Sequence, residues 1–364
     1  MMIGKVRRWQ KRRARARPDR RQAQRGFALL EIMISVLVIG ILSAALGPLM
    51  RSIITMNERA YEERHRLNNL RIGAALMSVA SSSKLGRLPA PVTSGALTNA
   101  IYNPADSTPA GLALSSALVQ AGVNMSEVND DGRTAANVRV YQMVSPPAMQ
   151  TPLFFQSGPS VFLRYDVGAI YLTACSKGSA DCNPGPGGVP GDSAAMTVAN
   201  HASWATSGTD GSPFLISSLP VQKMMLANTV QRLERLREAM VGYLRVQQLT
   251  ASASDSTNWY PNQLGNSEPG SLATSNPAGN QDCLDGWYRL DDSNDILPTL
   301  GLAGEEFGQT AWGGSIEYCR DYDPTGLQDP DQPPHYAALR ILRDISQGLP
   351  PDNAVRGNNV FLTF

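Results

Sequence analysis

Glu31 is the only charged residue in an apolar run covering residues 27–50. A carboxylate held in hydrocarbon costs on the order of 2.5–3.5 kcal/mol at mid-bilayer, and less near a helix end. Such a group either meets a cation or reaches back to the interface and does nothing further. Two aspartate-rich stretches are the next candidates for chemistry. One reads Asp291-Asp292-Ser293-Asn294-Asp295; the other is Asp321-Tyr322-Asp323, followed by Asp329 and Asp331. Calcium takes about six to eight oxygen ligands, which irregular loops can supply, so calcium is the candidate cofactor. Neither stretch has EF-hand spacing, and a pair of solvated loops is the stronger reading. Apart from these calcium candidates (Asp291, Asp292, Asp295, Asp321, Asp323), no metal site is expected.

Catalytic groupings are sparse. His65 falls on a helical stretch, while His201 and His335 fall in loop-like sequence. The chain has no Gly-x-Ser-x-Gly elbow, no His-Glu-x-x-His motif and no glycine-rich phosphate loop between a strand and a helix. No catalytic residues are assigned, and the chain is not expected to be an enzyme. Trp259, Tyr260, Trp287 and Tyr288 offer a binding surface, although such aromatics more often anchor cores and loops.

The elements that position these groups begin with charge. Of 32 basic and 31 acidic residues, eleven basic and one acidic fall in residues 1–26. That leaves 21 basic against 30 acidic, a charge of about −9 on residues 27–364. A nucleic-acid partner is not expected, because the folded part is acidic. As a helix, the 24 residues from 27 to 50 span roughly 36 Å, enough for a hydrocarbon core of about 30 Å. The basic arm holds the N-terminal end in the cytoplasm and the rest of the chain is exported. Cys175, Cys182, Cys283 and Cys319 all lie in the exported part, where disulfides form. Three pairings exist. Cys175 with Cys182 and Cys283 with Cys319 are favoured, since sequence neighbours close cheaply. Four buried thiols are the alternative; zinc is disfavoured by the absence of Cys-x-x-Cys spacing.

Residues 26–50 combine a Gly26-Phe27 junction behind a basic arm, Glu31 five residues into the apolar run, Gly40, and Pro48. This pattern resembles the N-terminal signature of type IV prepilins and type II secretion pseudopilins. The resemblance implies cleavage between Gly26 and Phe27 by a prepilin peptidase, and methylation of the new Phe27 amine. It further implies that Glu31 meets the Phe27 amine of a neighbouring subunit and sets the axial register. Pro48 removes a backbone donor, so a kink is expected at or just before it. A local melt between Gly40 and Pro48 would let subunits slide; a simple bend is the alternative.

The expected fold class is α+β: a long N-terminal transmembrane helix extends into a pilin-like head of antiparallel sheet, followed by a second helix-plus-sheet unit. The expected domains are a basic leader (1–26), a transmembrane and assembly helix (27–84), a first head unit (85–200) and a second unit (201–364). Leu67, Leu70, Ala74 and Met77 follow 3-4-3 spacing as the packing stripe of the first helix. Strand-like runs cover 138–144, 153–156, 161–165 and 169–174, and a short helix covers 111–122. A second helix follows Pro220, with Leu226, Val230, Leu233, Leu236, Met240 and Leu244 as its apolar positions. Strand-like runs then recur at 315–319, 336–342 and 360–364. Trp312 is expected to be buried beside a glycine turn. The order reads as a tandem pair of units, or as a coincidence between two amphipathic helices.

The resemblance, with a bulk of 338 residues after cleavage, implies a minor pilin or pseudopilin near a filament tip, in assembly initiation or adhesion. Its partners would be the peptidase, other pilin or pseudopilin subunits, and the inner membrane with its assembly platform. It would sit in the inner membrane with a periplasmic domain before assembly, and in a periplasmic or surface filament afterwards. The alternatives are a tethered extracytoplasmic enzyme or binding domain, a type II secretion minor pseudopilin, and a competence-type pilin touching DNA. The acidic exported part weighs against the last.

Overall fold

The computed structural model describes residues 20–94, 97–128, 138–154, 157–173, 195–204, 209–252, 255–262, 281–283, 286–292, 296–324 and 333–364. By internal contacts the chain divides into residues 1–64 and 65–364. Helix α1, Arg20–Ser82, is 63 residues long and contains Pro48. It remains helical through Gly40, Gly47 and Pro48, with no break between them. In the first unit its apolar side chains face outward. Ile32, Met33, Leu37, Ile39 and Ile41 are all 60–64% exposed.

In the second unit the end of α1 packs on a sheet only partly along the expected stripe: Met77 packs on the core and Leu70 is half-buried. Leu67 and Ala74 are exposed, while Asn68, Asn69, Ile72, Gly73, Ala75, Leu76 and Ala80 are buried. Gly73 explains the rotation. A Cβ there would lie 2.3 Å from the Phe214 ring, so the sheet settles where the helix has least bulk. Burying side chains such as Ile72 and Leu76 contributes about 1.5–3 kcal/mol each.

That sheet is antiparallel, in the order β3 (Val138–Val144), β6 (Val167–Thr173), β7 (Thr209–Ser217). Tyr141 stands opposite Ile170, and Ile170 opposite Phe214, which places all three on the α1 face. Their neighbours Val140, Ala169 and Tyr171 turn to the other face, against Met196 and Trp204, as period-two alternation requires. The short hairpin of β1 (Val92–Ser94) and β2 (Leu97–Ala100) adds Ala100 to that side. Helix α2, Pro109–Gln120, is capped by the Thr108 hydroxyl, which accepts from the Gly111 amide at 3.1 Å. It contributes Leu114 and Leu118 to the α1 core.

The second sheet runs β11 (Asn359–Thr363), β10 (Ala338–Leu342), β9 (Glu317–Cys319), β8 (Tyr288–Arg289), all antiparallel. One face, with Leu339, Ile341, Tyr318 and Val360, buries Leu233, Leu236 and Met240 of α3 (Leu219–Thr250). The hairpin of β4 (Met149–Phe154) and β5 (Ser157–Leu163) joins the same core through Leu153, Val161 and Leu163. β7, past residue 200, thus pairs with β6, and a hairpin before residue 200 packs on the C-terminal sheet. The fold is α+β, with antiparallel sheets following a long apolar N-terminal helix, in agreement with the sequence reading.

Buried polar side chains connect these layers. Gln222, fully buried on α3, donates to the Leu85 and Gly86 carbonyls at 2.7 and 2.8 Å and accepts from the Trp312 indole at 2.8 Å. Gly86 takes a φ of +63° beneath it, a conformation that suits glycine. Asp166, 1% exposed, is held by the Arg87 guanidinium, the Ser145 hydroxyl at 2.8 Å and the Leu88 amide at 3.0 Å.

Candidate functional site

The sequence-marked residues of the N-terminal segment all lie on α1. The backbone is helical through Gly26 and Phe27. Glu31 sits one turn further on, exposed, and among the described residues no cation pairs with its carboxylate. The Ser35 hydroxyl donates to the Glu31 carbonyl at 2.8 Å, which keeps that serine's polarity within the helix. Gly40 has open space around the position a side chain would take, and Pro48 is exposed. The helix is long and apolar enough to cross a membrane from Glu31 onward. Its lateral surface therefore presents one carboxylate on an otherwise uncharged apolar column from residue 31 to residue 50. Such a column demands hydrocarbon or other helices around it.

The other marked residues lie in the head. Cys283 and Cys319 form a disulfide with a sequence separation of 36. Closing a loop of that length restricts the unfolded chain by about 3–4 kcal/mol. Cys175 and Cys182 lie outside the described residues. So does Asp295 of the calcium candidates. Asp291 accepts from the Ser315 hydroxyl at 2.7 Å and the Gln309 amide at 3.2 Å, with Arg289 at 3.4 Å. Asp321 accepts from the Asn258 amide, and Asp323 is buried, its own amide donating to the Asp282 carbonyl at 2.8 Å. Asp292 is exposed. Among the described residues no three His, Cys, Asp or Glu side chains gather as a metal site.

The histidines stand apart by their partners. His65 Nδ1 lies 3.0 Å from Arg139, His201 Nδ1 lies 2.8 Å from the Val198 carbonyl, and His335 Nε2 lies 2.7 Å from the Ser256 carbonyl. Trp287, Tyr288 and Tyr260 are buried anchors and form no open surface. Trp312 is fully buried.

Sequence reasoning missed the most consequential charged pair in the head. Arg340 and Glu317 face each other across β10 and β9, with exposures of 0% and 2% and a contact of 2.5 Å. Arg340 also donates to Gln281 at 3.1 Å and Asn353 at 2.6 Å, and its guanidinium lies 4.4 Å from the Trp287 ring centre. Burial raises the Glu317 pKa against the opposing pull of Arg340. The signal was present as an arginine between Leu339 and Ile341 in a strand otherwise buried.

The prokaryotic N-terminal methylation motif matches residues 21–47. No curated protein and no solved structure matches the chain. The motif covers the Gly26-Phe27 junction, Glu31 and Gly40, and it implies processing by a prepilin peptidase and assembly with other pilins. The chain carries the type IV prepilin-like signal and fits the family of pilins and pseudopilins.

Proposed function

We propose that this chain is a minor pilin or minor pseudopilin, a structural subunit placed at or near the tip of a type IV pilus-like filament. The observation that carries the reading is the apolar column of α1, broken only by Glu31, inside the matched motif. Cleavage between Gly26 and Phe27 creates an amine four residues before that carboxylate. A neighbouring subunit offers its own Phe27 amine to Glu31 as the two helices stack. In the membrane the same column anchors the chain, with the head on the periplasmic side; in the filament it lies in the core with heads outward.

The tip position rests on bulk. The unit of residues 65–364 is a large object to repeat along a thin fibre, and a single copy at the end avoids the crowding. The role is mechanical and adhesive, and no chemical step is assigned to the head. Gold labelling of an epitope tag on the head, viewed on sheared filaments, tests this. Label confined to fibre ends is the expected outcome. Label spread evenly along fibres would overturn the tip assignment.

A further inference from the structure

Among the described residues Arg343 makes no ion pair. It directly follows β10, and its backbone is held from both sides. Its amide donates to the Asn358 carbonyl at 2.7 Å, and its carbonyl accepts from the Phe162 amide at 2.9 Å. Arg343 lines a cavity of about 620 Å³. Its Nε is buried with no hydrogen-bond partner, and among the described residues the guanidinium makes no ion pair. A buried donor left unmet is costly.

Two carboxylates share the cavity wall, yet both are occupied elsewhere. Asp344 is taken by Arg164 at 2.6 and 2.8 Å and by Gln347 at 2.7 Å. Asp352 accepts from the Ala354 and Val355 amides at 2.7 and 3.0 Å and from Asn358 at 2.7 Å. These bonds hold its pKa below the usual carboxylate range. The remaining wall is mostly apolar, with Phe162, Leu342, Leu349 and Pro350, and also carries Gln347 and Asn358. Ligand pockets of about 300–1,000 Å³ commonly pair an apolar lining with a few placed polar groups.

We propose that this cavity binds a carboxylate-bearing ligand with a small apolar body, the anion pairing with Arg343 and the body lying against Phe162 and Leu349. A guanidinium suits a carboxylate by charge and by its planar donor fork. One arginine beside two aspartates favours a monoanion over a phosphate dianion, which those aspartates would repel. The carboxylate comes from a free acid or from the end of a peptide chain. The site stands on the head alone and does not depend on entry into a filament.

The test is a ¹⁹F relaxation titration of the full chain in non-ionic micelles. The probe is 4-fluorobenzoate, with 4-fluorobenzamide as the neutral match. Saturable broadening of the acid and none of the amide is expected. Arg343→Gln should weaken acid binding at least tenfold, with Arg343→Lys retaining part of it. Equal behaviour of acid and amide, or unchanged binding in Arg343→Gln, overturns the proposal. Should Arg343→Gln fail to fold by circular dichroism, Leu349→Glu decides. Leu349 is 52% exposed, so a carboxylate there is tolerated. It should weaken the acid at least tenfold, and unchanged affinity overturns the site. Competition by N-acetylphenylalanine separates the sources: displacement at tenfold lower concentration than benzoate supports a chain end, and weaker displacement supports a free acid. Absence of saturable binding by either acid overturns both.

Discussion

Glu31→Ala should leave the chain in the membrane and out of the filament, with incorporation into sheared fibres reduced more than tenfold. The two halves of that expectation have separate causes. Removing a carboxylate from an apolar helix makes insertion easier, because a cost on the order of 2.5–3.5 kcal/mol at mid-bilayer disappears. The same change removes the one group on residues 31–50 that can distinguish one axial stagger from another. An ion pair at about 4 Å with an effective dielectric of 20 is worth roughly 4 kcal/mol, and it is lost outright. Apolar columns otherwise slide past each other with little change in contact. Glu31→Gln should behave in the same way, since it keeps shape and removes charge. Immunoblots of membrane and sheared fractions read both outcomes. Incorporation of Glu31→Ala at the parent level would show that register is set elsewhere.

Arg340→Ala should destabilise the head by about 3–5 kcal/mol, the usual cost of removing one partner of a buried ion pair. The loss is large because Arg340 connects several elements at once. It pairs with Glu317 on β9, bonds Gln281 and Asn353 from flanking loops, and stacks on Trp287. Truncation leaves Glu317 buried without its cation and removes one donor each from Gln281 and Asn353. At roughly 2–4 °C per kcal/mol for a unit of this size, the thermal midpoint should fall on the order of 10 °C. The double change Arg340→Met with Glu317→Leu should recover part of the loss, because it removes both charges. Circular dichroism melts of the full chain check this. An Arg340→Ala midpoint within 2 °C of the parent, a loss of at most about 1 kcal/mol, would contradict the account.

The two expectations differ in how far the sequence alone could reach them. The N-terminal methylation motif around Glu31 was legible because its pattern is local: a charge in an apolar run just after a Gly-Phe junction. The helices were legible for a similar reason. The sequence places the end of α1 at residue 84 and the helix ends at Ser82, and α3 begins beside Pro220. The strands β3, β6, β10 and β11 also fall where apolar runs occur.

Arg340 was not legible, because its partner is defined by register across a sheet. Glu317 sits 23 residues away in sequence, and pairing fixes which side chains meet. The same limit explains β7. Residues 209–217 contain Gly211 and Pro213, which read as turn signals, yet Phe214 and Ile216 are needed to complete the α1 face. The buried face of α1 was misjudged because hydrophobicity was counted and bulk was not. Asn68, Asn69 and Gly73 are buried, Gly73 against Phe214 of the sheet, while Leu67 is exposed. Small size at Gly73 decided the contact, and no hydropathy pattern carries that information.

The central claim is that this chain is made as a prepilin and matured at Phe27. Intact mass and N-terminal fragment spectra of the native protein test it most directly. The account requires a chain that starts at Phe27 and carries a methyl group on its α-amine, with residues 1–26 gone. A native chain that still holds residues 1–26, or begins at a different residue, would contradict it.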